Sequence, residues 1–314
     1  MVDGQGNDER GEDVRGIYRD ALSSFWQEFY MSCSLGERGR VPFLRHDFQA
    51  DEWAAVGRII SKGYLDLGYF PVMLSKAFFI SAMLGEKAVS DEILLQSFNE
   101  YLAPIEEQVV CEALSRPEDA WNCGDKDAEE HEEDKELTEL LDRFGCRKLP
   151  TKENIKSLIL EVAHKEIIQK AQYVADCWND IFRESLADSK LSRMEGVCSL
   201  YKSLEPTTKK VLGMIVAMPG NNAERSALDF LKRFIRGLDV QLLKCLLMFV
   251  TGADVICVST IGVAFTKLEG LGRRPIAHTC SSILELPSTY DCYAEFRAEF
   301  TNVLANGKWQ NDIM

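Results

Sequence analysis

In separate segments between Ala21 and Val250 apolar residues return every three or four positions, and only from Val255 onward do they gather into short β-branched runs. Period 3.6 buries one stripe of a helix, whereas compact runs rich in Val and Ile suit strands. The pattern therefore predicts an α+β chain, mainly helical, with a small α/β part at its C-terminal end.

Individual elements follow from the same spacing. Ala21, Leu22, Phe25, Trp26, Phe29 and Tyr30 share one helix face, and Trp53, Val56, Ile59 and Ile60 share another. The aromatic-rich segment from Gly63 to Leu84, broken at Pro71, reads as the centre of a core. Ser90 is an expected N-cap with Asp91 and Glu92 behind it, for a helix through Leu94, Leu95, Phe98 and Leu102 towards Leu114. Thr151 is the expected cap of a helix from Ile155 to Ile168, and a further helix covers Tyr173 to Phe182. Near the end, helices over 226–238 and 240–250 precede strands at 255–259 and 263–267. A last helix presents Tyr293, Phe296, Phe300, Val303 and Leu304 and stops near Gly307.

A length of 314 residues with 46% hydrophobic content suffices for two domains. The segment Ala217-Met218-Pro219-Gly220-Asn221-Asn222 carries loop chemistry, so the boundary is expected there, with residues 1–217 helical and 218–314 α/β.

Composition excludes several functions. A net charge of −14 opposes binding to a nucleic-acid backbone. Ten Asp/Glu and two Lys between Glu118 and Glu136 form a run that like-charge repulsion is expected to keep extended and solvated until Leu137, either a plain surface loop or an interaction site. The most membrane-like stretch, Leu242 to Phe265, holds Lys244, Gly252 and Asp254, and reads as a buried helix followed by a strand, so no membrane is expected as a partner. Residues 1–15 are polar and acidic without an apolar core segment, which removes the secretory-signal reading and places the chain in the cytoplasm or nucleus. Ten cysteines with no C-x-x-C pair, and four scattered histidines, offer neither a disulfide scaffold nor zinc-ligand spacing. Phosphate-loop, G-x-S-x-G and H-E-x-x-H motifs are absent, so no cofactor is expected. The basic trio Lys232, Arg233 and Arg236 reads as the solvated face of a helix.

Chemistry can sit at Arg274-Pro275-Ile276-Ala277-His278-Thr279-Cys280-Ser281-Ser282, which leaves an expected strand and enters a polar turn. A turn gives Cys280 the access a nucleophile needs, and a thioester formed on it stays open to attack by an amine. The bland alternative is an inert packed thiol. His278 stands two residues away, too close in an extended chain to face the same side, so its role is either general base or a hydrogen bond that orients the loop.

Phe249-Val250-Thr251-Gly252, a basic-Pro step, His278-Thr279-Cys280 and Leu284-Glu285-Leu286-Pro287 with Tyr290 and Tyr293 resemble, in order and separation, the C-lobe of HECT-type ubiquitin ligases. Gly11-Glu12-Asp13 before Arg19-Asp20-Ala21-Leu22, Gly57-Arg58-Ile59-Ile60, and Leu149-Pro150-Thr151-Lys152-Glu153-Asn154 are similar to successive N-lobe landmarks of that family, so the resemblance spans nearly the whole chain. It implies a helical N-lobe that receives a ubiquitin-loaded conjugating enzyme over about residues 110–183, a hinge, and a C-lobe in which Cys280 accepts ubiquitin while Thr279 and His278 shape its loop. Partners would be ubiquitin, a conjugating enzyme and a protein substrate. The chain departs from the family pattern at Arg15-Gly16-Ile17 in place of Gly-Gly-Pro, at Ser281 in place of an aromatic residue, and at Asn311 in place of a phenylalanine, with Trp309 the nearest aromatic. Those departures motivate an alternative, a HECT-like scaffold that holds ubiquitin or a partner without turnover. A third reading is a cysteine hydrolase in which folding brings His46 or His164 to Cys280.

Overall fold

The structure is a computed structural model that describes residues 14–117 and 132–305. It is an α+β protein. The described residues divide into two compact units, one built from 14–27, 63–70 and 203–305, the other from 28–62, 71–117 and 132–202. Helix α1 (Val14–Cys33) runs from the first unit into the second.

In the unit of residues 28–62 and 71–202, β1 (Ser34–Leu35) and β2 (Val41–Pro42) form a short antiparallel pair ahead of α2 (Ala50–Leu67). Helix α3 (Lys76–Leu84) is buried on every side from Ala77 to Met83, so its surroundings and not an amphipathic stripe hold it. Ser75 caps it, accepting from the Phe78 N–H. Ser90 caps α4 (Asp91–Tyr101) as expected, but that helix does not run to Leu114. It stops at Leu102, and Pro104 opens a separate helix, α5 (Pro104–Ser115), whose first turn tolerates the missing proline N–H.

Helix α6 (Glu132–Arg143) begins inside the acidic run, which corrects the expectation that residues 132–136 are extended. Leu137, Leu140 and Leu141 bury its inner stripe. Residues 118–131 of that run lie outside the described residues. Thr151 does not cap α7 (Ile155–Ile167): its N–H donates to Asn154 Oδ1 at 2.7 Å in a turn, and Asn154 is the residue before the helix. Helix α8 (Gln172–Ser185) packs on α3 through Phe78–Trp178 and Phe79–Phe182 ring contacts at 5.4 and 5.3 Å. Trp178 also donates its indole N–H to the Trp53 carbonyl at 2.9 Å, tying α8 to α2. Helix α9 (Met194–Leu204) carries the chain back to the first unit.

There, α10 (Thr208–Met214), capped by Thr207, leads directly into β3 (Ile215–Ala217). The expected boundary near residue 217 is not where the chain passes between units, because β3 on one side of that loop and α11 (Asn222–Arg236) on the other share one core. Asn221 caps α11, accepting from the Glu224 N–H at 2.9 Å, and Glu224 in turn accepts from the Gly220 N–H at 2.7 Å. Asp239 caps α12 (Val240–Thr251), which ends at Gly252 with φ of +73°, a conformation that favours glycine. The strand expected at 255–259 is absent. That segment is irregular, with the Ile256 N–H bonded to the Leu204 carbonyl, and the strand begins later as β4 (Ile261–Thr266).

Strands β5 (Ile276–His278) and β6 (Ile283–Pro287) complete a four-stranded sheet of order β3-β4-β6-β5, parallel except for the β5–β6 pair. Helix α13 (Tyr293–Ala305) closes the unit. Its Phe296 and Phe300 rings stack at 4.4 Å against Phe234 of α11, over Leu284 and Leu286 of β6. Trp309 and Asn311 lie outside the described residues. Among the described residues no helix is long and apolar enough to cross a membrane.

Candidate functional site

Cys280 occupies the turn that joins β5 to β6. The pairing of His278 with Ile283 closes the hairpin, leaving Thr279, Cys280, Ser281 and Ser282 to make the reversal. Ser282 has a φ of +53°, a left-handed conformation that costs a non-glycine residue roughly 1 kcal/mol or more. It is nonetheless buried, its carbonyl accepts from the Gly262 N–H of β4 at 3.0 Å, and its own N–H reaches the Thr279 carbonyl. The turn is thus strapped to the sheet on one side, and Cys280 stays half-buried at its tip.

The other side is held by α1. Gly16, Arg19 and Ser23 stand at positions i, i+3 and i+7, a single helical stripe. Arg19, only 5% exposed, donates from Nε to the Thr251 carbonyl at 2.7 Å and from Nη2 to the Thr279 carbonyl at 2.6 Å. Ser23 Oγ donates to the Gly252 carbonyl at 3.0 Å. Thr251 and Gly252 end α12, where unpaired carbonyls and the negative end of the helix dipole favour a cation. Gly16 lies flat against the turn: a Cβ built there would meet Cys280 Cα at 2.5 Å and Sγ at 2.8 Å.

His278 ends β5 with its ring exposed, and its Nε2 meets Glu285 Oε1 of β6 at 3.0 Å, a diagonal cross-strand pair. Thr279 contributes its backbone oxygen, the acceptor that Arg19 and the Ser282 N–H share. His46 and His164 belong to the other unit, and His164 pairs there with Glu86 at 2.7 Å.

The nine described cysteines are all free. They differ in surroundings, from buried Cys33 to exposed Cys111 and Cys292. Burial pushes the Cys257 thiol up to about 11, against a smaller opposing pull from Arg19, and burial also raises Cys177 and Cys245. Asp254, in the loop after α12, is held above the ordinary carboxylate range by burial, with Lys244 and the Tyr69 hydroxyl, 3.2 Å away, pulling the other way. Among the described residues no group of three or more His, Cys, Asp or Glu could hold a metal ion.

Sequence reasoning singled out Cys280, Thr279 and His278. Arg19 entered it only as part of a landmark, and Gly16 only as a departure from a motif. The helical spacing of Gly16, Arg19 and Ser23 is visible in the sequence, but nothing local announces a partner more than 200 residues away. No protein-family model matches the chain, and no curated protein matches it.

Proposed function

We propose that this chain is a ubiquitin-protein transferase of the HECT type, which accepts ubiquitin from a conjugating enzyme as a thioester on Cys280 and passes it to a substrate lysine. The observation that carries the reading is the tight, doubly strapped β5–β6 turn that presents His278-Thr279-Cys280 at the end of a small mixed sheet. A nucleophile needs access and a defined direction, and a half-buried thiol on a hairpin tip has both.

In the first step the Cys280 thiolate attacks the carbonyl carbon of the donor thioester. A C–S bond forms to Cys280, the donor's C–S bond breaks, and its cysteine leaves as a thiolate. One thioester replaces another, so the exchange is close to isoenergetic and needs no nucleotide. In the second step a neutral lysine amine attacks the same carbonyl, the new C–N bond displaces the Cys280 thiolate, and the amine gives up a proton to solvent or a base. Ubiquitin's carboxyl end thereby changes partner without oxidation or reduction. The face over residues 110–183, which includes α6, α7 and α8, would receive the conjugating enzyme.

A second reading, a scaffold that holds ubiquitin or a partner without turnover, draws support from the close approach of Gly16 to the Cys280 turn, where an added Cβ would come within 2.8 Å of Sγ, and from the half-burial of the thiol. The two separate in one experiment. The purified chain is mixed with a panel of ubiquitin-loaded conjugating enzymes and run on a non-reducing gel beside Cys280→Ala. A thiol-sensitive ubiquitin adduct that disappears in the variant is the expected result. Folded protein that forms no adduct with any donor would overturn the transferase reading in favour of the scaffold.

A further inference from the structure

The most unusual side chain in the first unit is Arg19. It is a buried cation that donates from Nε and Nη2 to two segments far apart in sequence, the end of α12 and the residue before Cys280. Burying a guanidinium is costly unless its charge and donors are met, so such a residue persists where its geometry is used. The planar fork makes both bonds at once, which a lysine ammonium on a flexible stem cannot reproduce. One turn earlier, Gly16 leaves the space into which the Cys280 backbone packs.

We propose that Arg19 is the positioning residue of the Cys280 turn, with Gly16 forming the floor on which that turn sits. The role rests on the reading of Cys280 as the acceptor. By holding the Thr279 carbonyl, Arg19 fixes the plane of the Thr279–Cys280 peptide and so the direction in which the Cys280 Cα–Cβ bond leaves the backbone. Ser282, strained at positive φ, depends on the same arrangement, because its N–H shares the Thr279 oxygen with Arg19. Without the guanidinium the turn keeps its strap to β4 through Gly262 but loses the one to α1.

The test uses the full chain and two readouts. One is the rate at which iodoacetamide alkylates Cys280, followed by peptide mass, which requires no ubiquitin. The other is the rate of adduct formation from a loaded conjugating enzyme. Arg19→Ala should alkylate faster, because the freed turn swings off its floor, while adduct formation falls on the order of tenfold, the scale of a lost charge-assisted hydrogen bond. Arg19→Lys should recover part of the loss, and methylguanidinium at millimolar concentration should restore Arg19→Ala, which a purely structural defect would not allow. Should Arg19→Ala fail to fold, Gly16→Ala takes its place: alanine favours the helix, yet its methyl must push the Cys280 turn away, so the same split is expected. An Arg19→Ala protein that melts like wild type and matches it in both rates overturns the proposal, as does Gly16→Ala matching wild type. Wild-type protein that forms no adduct defeats the transferase reading instead, and the alkylation comparison still decides the role of Arg19.

Discussion

Arg19 Nη2 lies 2.6 Å from the carbonyl oxygen of Thr279, a hydrogen bond between residues 260 positions apart. It joins α1 to the turn that carries Cys280, so the conformation of that turn is a long-range product of folding and not a local motif. The properties of the residues around it follow from that convergence.

Cys257 sits in the same unit as Cys280, and burial pushes its thiol up to about 11 from an ordinary value of 9.0. Near pH 8 its thiolate fraction is then lower by about a hundredfold, and burial slows access further. Peptide mapping after brief iodoacetamide treatment at pH 8 should show Cys280 and the exposed Cys111 and Cys292 modified well before Cys257. Early labelling of Cys257 would contradict its burial.

The turn itself carries strain at Ser282, where φ is +53°. A β-branched side chain tolerates that region worse than serine does, so Ser282→Val should cost about 2 kcal/mol and disturb the hairpin. Ser282→Gly, which relieves the strain but loosens the unfolded chain, should be near neutral. Denaturant unfolding of both variants beside wild type gives the comparison.

Asp254 has its pKa raised by burial above its usual 3.8, so the fold prefers the protonated acid. A group of this kind contributes its full stability below pH 3.8, and the contribution is lost as pH rises through the higher folded value. Asp254→Asn removes the charge and keeps an acceptor for the Tyr69 hydroxyl. It should therefore be more stable than wild type at neutral pH, with the difference closing in acid. Thermal melts at pH 7 and near pH 4 measure it, and equal differences at both values would refute the assignment.

Phe296 is fully buried, stacked on Phe300 at 4.4 Å and edge-on to Tyr290 at 5.0 Å. Phe296→Ala should cost about 3–5 kcal/mol, the transfer term plus the cavity between α11, α13 and β6. Circular dichroism during urea unfolding of the full chain reads that loss directly.

What the sequence determined by itself was local. Ser90, Thr207, Asn221 and Asp239 each cap the helix behind them because a short polar side chain beside the first turn can reach its free N–H groups. Gly252 ends α12 because a left-handed residue is needed there, and the β5–β6 turn lies where polar residues interrupt two apolar runs. The periodic residues on either side of Pro104 point instead to one helix running towards Leu114 and conceal the break the proline makes. Tertiary structure decided the remainder. Residues 215–217 are a strand because β4 supplies partners for their hydrogen bonds, whereas 255–259, with a similar share of β-branched residues, find no strand neighbour and stay irregular. Arg19 faces the Cys280 turn because α12, β5 and α1 converge there. Periodicity records which face of an element is buried but not against what, and a strand's partners or a buried cation's acceptors are set by contacts hundreds of residues apart.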